Sequence, residues 1–126
     1  MSEPRTILIV DDSPTMRALL KLAVRRFGSI RILEGNNGEE ALGHLATEKV
    51  DCVLTDVNMP VMDGLTLIDR IKADPKLAGI PIVVITTEGA PAERERAMAK
   101  GAVEYLSKPI QGALVVSVLN RVLGPG

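Results

Sequence analysis

The sequence predicts an α/β fold in which five strands alternate with five helices and a parallel sheet lies between two helical layers. Three observations carry that expectation. Short β-branched apolar runs stop abruptly at polar residues, they lack the polar–apolar alternation of half-exposed strands, and stretches with helical spacing separate them. Right-handed crossovers between successive strands then place helices on both faces.

The first strand is Ile7-Leu8-Ile9-Val10. The helix after it has a clear start: Ser13 as N-cap and Pro14 at the first helical position, then Met16, Leu19, Leu20, Ala23, Val24 and Phe27 on one face, with Gly28 as its end. A strand at residues 30–33 precedes a second helix, which opens at Asn37 with Glu40 three residues on, a variant of the capping box, and buries Ala41, Leu42 and Leu45. Cys52-Val53-Leu54 forms the third strand, and a helix at about 65–73 stops at Asp74-Pro75. Ile82-Val83-Val84-Ile85 is the fourth strand. The helix at about 91–100 offers mainly Ala92, Ala97, Met98 and Ala99 for burial, so it is expected to be weakly held. Val103-Glu104-Tyr105-Leu106 and a helix at about 111–123 complete the set. The expected architecture is a flavodoxin-like (βα)5 three-layer sandwich with strand order 2-1-3-4-5.

A chain of 126 residues is expected to be one domain, residues 1–126, with no effector module. Its single cysteine, Cys52, excludes an internal disulfide framework and multi-cysteine metal sites, which suits a reduced, cytoplasmic setting. No apolar run approaches the ~18–20 residues that span a bilayer, and the stretch from Met1 to Arg5 lacks signal-peptide order. Fifteen basic and 16 acidic residues give a net charge of -1, and aromatics are 2%, so neither phosphate neutralisation nor base stacking is expected.

In open α/β sheets the ligand crevice lies beyond the carboxyl ends of the strands. Asp11 and Asp12 follow the first run, Asp56 the third, Thr86 and Thr87 the fourth, and Lys108-Pro109 the fifth. Two unit charges ~5 Å apart at an effective dielectric of ~20 repel by about 3 kcal/mol, so three clustered acids need an offset. Lys108 supplies one positive charge. A hard divalent cation supplies the rest, and Mg2+, which takes only one or two carboxylates and keeps several waters, suits the set better than calcium; Mn2+ also fits. An exposed carboxylate beside such a cation, an amine and a hydroxyl is a phosphoryl acceptor: Asp56 attacks phosphorus, Lys108 and the metal stabilise the transferring oxygens, and Thr86 donates to one of them.

These residues fall in motifs that resemble the receiver domains of two-component response regulators, most closely the stand-alone chemotaxis regulators of the CheY type. The motifs are Ile9-Val10-Asp11-Asp12-Ser13, Asp56-Val57-Asn58-Met59-Pro60 with Met62-Asp63-Gly64, Ile85-Thr86-Thr87-Glu88, and Tyr105-Leu106-Ser107-Lys108-Pro109. The separations agree as well, Thr86 lying 30 residues and Lys108 52 residues after Asp56. The resemblance implies that Asp56 accepts a phosphoryl group from a sensor histidine kinase. It implies that Asp12 and Asp56 bind Mg2+ directly, Asp11 through water and Asn58 through its backbone carbonyl. Lys108 and Thr86, with Thr87 beside them, hold the phosphoryl group; Thr86 and Tyr105 form the switch. The changed face is helix four, strand five and helix five, and the output is binding of a downstream protein, in chemotaxis or motility. The same resemblance implies a cis Lys108–Pro109 bond, self-catalysed transfer and hydrolysis without turnover of an external substrate, and a monomer or weak dimer. Asn58 and Glu88 flank the acceptor and set how fast water removes the group. Thr87 and Ile110 depart from the usual alanine and phenylalanine.

Plainer readings stand beside these. Asp11 and Asp12 alone serve as well to favour the first helix's dipole. Tyr105 alone suits a core aromatic, and His44 a solvated surface residue. Helix five spreads Leu114, Val115, Val116, Val118, Leu119, Val122 and Leu123 over an arc of about 200°, wider than one buried face, so Val116 or Leu123 is expected to border a partner surface. The enzyme alternative is an aspartyl-phosphate phosphatase of the haloacid dehalogenase type, but that chemistry uses Asp-x-Asp, and here Asn58 stands at the second position.

Overall fold

The computed structural model describes residues 4–87 and 90–124. Ten elements alternate: β1 (Arg5–Val10), α1 (Pro14–Arg25), β2 (Ile30–Gly35), α2 (Gly38–Thr47), β3 (Cys52–Thr55), α3 (Gly64–Ala73), β4 (Ile82–Thr86), α4 (Pro91–Lys100), β5 (Glu104–Ser107) and α5 (Gly112–Leu123). The strands form one parallel sheet in the expected order, β2-β1-β3-β4-β5. Among the described residues no helix is long and apolar enough to cross a membrane. Residues 1–3 of the Met1–Arg5 stretch, found above to lack signal-peptide order, lie outside the described residues, and so does Glu88.

The sheet is buried on both faces, which is why its strands read as unbroken apolar runs. Leu8, Val10, Val53, Ile82 and Val84 face the side covered by α2, α3 and α4. Ile7, Ile9, Leu54, Val83 and Ile85 face α1 and α5. All strands run the same way, but the order in which they are added reverses at β1, so the loops leaving β1 and β3 part to opposite faces and open a crevice between them.

Local signals fix the helix starts. Ser13 accepts from the Met16 N–H at 3.2 Å with Pro14 following, and Asn37 accepts from the Glu40 N–H at 2.9 Å. Glu40 reaches back to the N–H of Asn36, not to that of the cap itself, so the box closes one residue early. Helix α4 lacks a side-chain cap and buries only Ala97, in line with the weak attachment expected for it.

Three expectations are corrected. Leu19 is half exposed, because α1 presents Leu20, Ala23 and Val24 to the sheet and leaves position 19 on the rim. On α5, Val116 and Leu123 are partly buried against the core, and the most exposed apolar side chain of the arc is Leu114 instead. The buried middle of the arc, Val115, Val118 and Leu119, shares a cluster with Ile7, Ile9 and Ile85 of the sheet, and α1 lies beside it. His44 is half-buried, not solvated: its Nε2 lies 2.8 Å from the Glu34 carbonyl, tying α2 to the end of β2.

Candidate functional site

Parallel pairing sets Val10, Thr55, Val84 and Tyr105 on one level across the sheet. Asp11 and Asp56 are therefore the first residues past the paired strands, side by side. The ladder runs one residue further to hold them: the Asp11 N–H donates to the Gly35 carbonyl and the Asp56 N–H to the Val10 carbonyl. Likewise the Lys108 N–H donates to the Thr86 carbonyl at 2.9 Å, so the amine side chain enters from β5.

Asp56, expected as an exposed carboxylate, is buried instead, because Lys108 bridges it to Asp11. Its Nζ donates to Asp11 Oδ2 at 2.8 Å and Asp56 Oδ2 at 2.9 Å, and all three side chains are at least nine-tenths buried. Burial works against the Lys108 charge, yet hydrogen bonds and charge from Asp11 and Asp56 outweigh it and hold the amine above its ordinary pKa of 10.5. The remaining carboxylate oxygens are also directed. Asp11 Oδ1 accepts from the Ser13 N–H, and Asp56 Oδ1 from the Val57 N–H at 2.6 Å.

Asp12 is exposed beside them, and ligand oxygens of Asp11, Asp12 and Asp56 lie within 4.8 Å of one another. With all three ionised and Lys108 protonated the cluster carries a charge of -2, and its donors are all hard oxygens. That set fits a divalent oxygen-seeking cation.

The other predicted residues lie around this cluster. Thr86 ends β4 fully buried, on the same sheet face as Val84, opposite Ser107 and two residues past the level of Tyr105. Tyr105 is half-buried and its hydroxyl donates to Glu93 Oε1 on α4 at 2.7 Å. Thr87 and Asn58 are exposed on the rim. The Lys108–Pro109 bond is cis, as the resemblance implied.

One positioning residue escaped the sequence reading. Gly64, quoted above only as part of a motif, packs on the acceptor strand's end, where a Cβ would run into the Asp56 carbonyl oxygen. Its N–H donates to Val57 O at 2.8 Å. Asp63 caps α3 by accepting from the Thr66 N–H, so the Asp63-Gly64 pair both starts the helix and lets it approach Asp56. The loop between carries a tight turn at Val61, which at φ 68° is the one left-handed non-glycine among the described residues.

A family model described as the response regulator receiver domain matches residues 7–120. The chain is 40% identical over 121 residues to a chemotaxis protein CheY homolog of Campylobacter jejuni, covering 95% of this chain and 93% of that one. Among solved structures it is similar to the chemotaxis protein CheY4 of Vibrio cholerae, with TM-score 0.88 and 30% identity over 96% of this chain and all of the other. It is also similar to the receiver domain of a sensor histidine kinase of Pseudomonas aeruginosa, with TM-score 0.87, 27% identity and 97% and 99% coverage; that structure holds a magnesium ion coordinated in its active site cleft. With the fold, the register and the acid–amine cluster in agreement, the chain belongs to the response regulator receiver domain family.

Proposed function

We propose that this protein is a phosphorylation-activated signalling switch of the chemotaxis type, with residues 1–126 acting as one receiver domain. Asp56 is the phosphoryl acceptor. An oxygen of its carboxylate attacks the phosphorus of a phosphohistidine on a sensor histidine kinase; the P–N bond breaks, an acyl phosphate forms, and the imidazole nitrogen takes up a proton. The observation that carries this reading is the single buried amine shared by Asp11 and Asp56 with a third, exposed acid alongside.

The side chains of Asp12 and Asp56, Asp11 through water and the Asn58 backbone carbonyl would hold Mg2+, with Mn2+ as a substitute. When bound, the ion neutralises the acids and the charge on the transferring oxygens. Lys108 leaves Asp56 Oδ2 for a phosphoryl oxygen, and the Thr86 hydroxyl takes another while Thr87 borders the group. Movement of Thr86 opens space for Tyr105, which turns inward and alters the α4–β5–α5 face read by a downstream protein. The chain acts on its own Asp56 and turns over no external substrate. Its expected setting is the cytoplasm.

Beryllofluoride with Mg2+ mimics the acyl phosphate and tests the whole scheme. Amide NMR shifts should begin at residues 11, 12 and 56–58 and extend to α4, β5 and α5. Shifts confined to the loops would remove the switch, and no shifts would remove the site.

A further inference from the structure

Arg17, on the first turn of α1, ties together two separate pieces of chain, the ends of β1 and β2. Its Nη1 donates to the main-chain carbonyl of Asp11 at 2.7 Å and to Asn36 Oδ1 at 2.6 Å, and its Nε donates to Glu34 Oε1 at 3.0 Å. The Arg17 side chain is 14% exposed and its bond to the Asp11 carbonyl is part-buried, while Glu34 is more open at 36% and the Asn36 contact lies at the surface. Glu34 is itself held from a second side by Lys21 at 3.0 Å. Burial opposes the Glu34 charge, but the hydrogen bonds from Lys21 and Arg17 hold its carboxyl below the ordinary value.

The carbonyl that Arg17 grips belongs to the peptide unit joining Asp11 to Asp12. That unit is planar, so fixing its oxygen fixes the direction in which the chain enters Asp12. Asp11 is already held by its N–H on Gly35 and by its carboxylate on Ser13 and Lys108. Asp12 has no such hold on its side chain: it is exposed, and no hydrogen bond to its carboxylate exists among the described residues. The guanidinium is thus the contact that aims the third acid at the cluster.

We infer that Arg17 is a positioning residue for the cation site, clamping the Asp11–Asp12 peptide so that Asp12 reaches the metal. The inference rests on the reading of the acid cluster as an Mg2+ site. It makes a prediction opposite in sign to simple electrostatics. A cation near the acids repels Mg2+, so loss of charge alone tightens binding; loss of the clamp loosens it.

Mg2+ titrations followed by amide NMR on the wild-type protein, Arg17→Gln and Arg17→Lys decide between them, with thermal melts to establish that each is folded. Arg17→Gln should bind Mg2+ roughly tenfold more weakly, the scale on which outer partners of metal ligands act. Arg17→Lys keeps the charge but not the planar fork, and should also bind more weakly. In the metal-free protein, hydrogen exchange at the Ser13 amide, which donates to Asp11 Oδ1, should quicken in both variants. Unchanged or tighter Mg2+ binding by Arg17→Gln, or unchanged exchange at that amide, would overturn the inference. Failure of the wild-type protein to bind Mg2+ would instead remove the reading beneath it, and the inference with it.

Discussion

Replacing Lys108 by methionine removes the one cation shared by two buried acids while keeping an unbranched side chain of similar length. Each charge contact, 2.8 and 2.9 Å long, is gone at once. Removing one partner of a buried ion pair costs about 3–5 kcal/mol, because the remaining charges stay buried and uncompensated. Against a total stability of about 5–15 kcal/mol the variant should fold but unfold at clearly lower urea. The pH dependence follows from the direction of the Lys108 shift. Its pKa in the fold is raised, so while Asp11 and Asp56 are ionised its contribution is complete below the ordinary lysine value of 10.5 and is lost as pH rises through the higher folded value. The stability gap between wild type and Lys108→Met should therefore be flat from about pH 7 to about pH 9, where an unperturbed lysine is charged throughout. Urea unfolding followed by circular dichroism in EDTA measures it. A gap under about 1 kcal/mol, the scale of an exposed pair, would refute the reasoning, and so would a gap that shrinks across that window. Added Mg2+ should narrow the gap, since the ion binds the folded cluster and compensates the same acids.

Two further substitutions probe the support of the site. Gly64→Ala forces a Cβ into the Asp56 carbonyl and should cost at least about 2 kcal/mol, whereas Gly43→Ala, with open space around it in the middle of α2, should gain about 0.5–1 kcal/mol; urea midpoints compare them. Tyr105 is the sole tyrosine in a chain without tryptophan, so tyrosine emission reports on it directly. Glu93→Ala should change that emission and quicken amide exchange along α4 at a cost of about 1 kcal/mol, while Glu93→Gln, which keeps an acceptor, should change both less.

The strands and the rim acids were legible because a parallel sheet buried on both faces writes itself as apolar runs that end where the chemistry begins. Ile7 to Val10 followed by Asp11 and Asp12 is the clearest case. Local capping at Ser13 and Asn37 was legible too, being carried by side chains a few residues apart. Contacts that cross the fold left no such trace. Arg17 looks like any polar residue in a helical first turn until α1 and β2 are docked. Gly64 reads as a turn former, and its nearness to the Asp56 carbonyl arises only when α3 packs under the acceptor loop. His44 was misjudged for the same reason, since its partner is a main-chain carbonyl on a neighbouring strand. On α5 the periodicity gave the width of the apolar arc, but not that α1, at the other end of the chain, packs beside the helix and shares its cluster.

The account stands on Asp56 as the acceptor. Incubation with acetyl phosphate and Mg2+, trapping of the acyl phosphate by borohydride and mass mapping of the peptides locate the modified side chain. One modified residue per chain, at Asp56, absent in EDTA and absent in Asp56→Asn, is the predicted result. Modification at any other residue, or labelling that persists in Asp56→Asn to the wild-type extent, would contradict it.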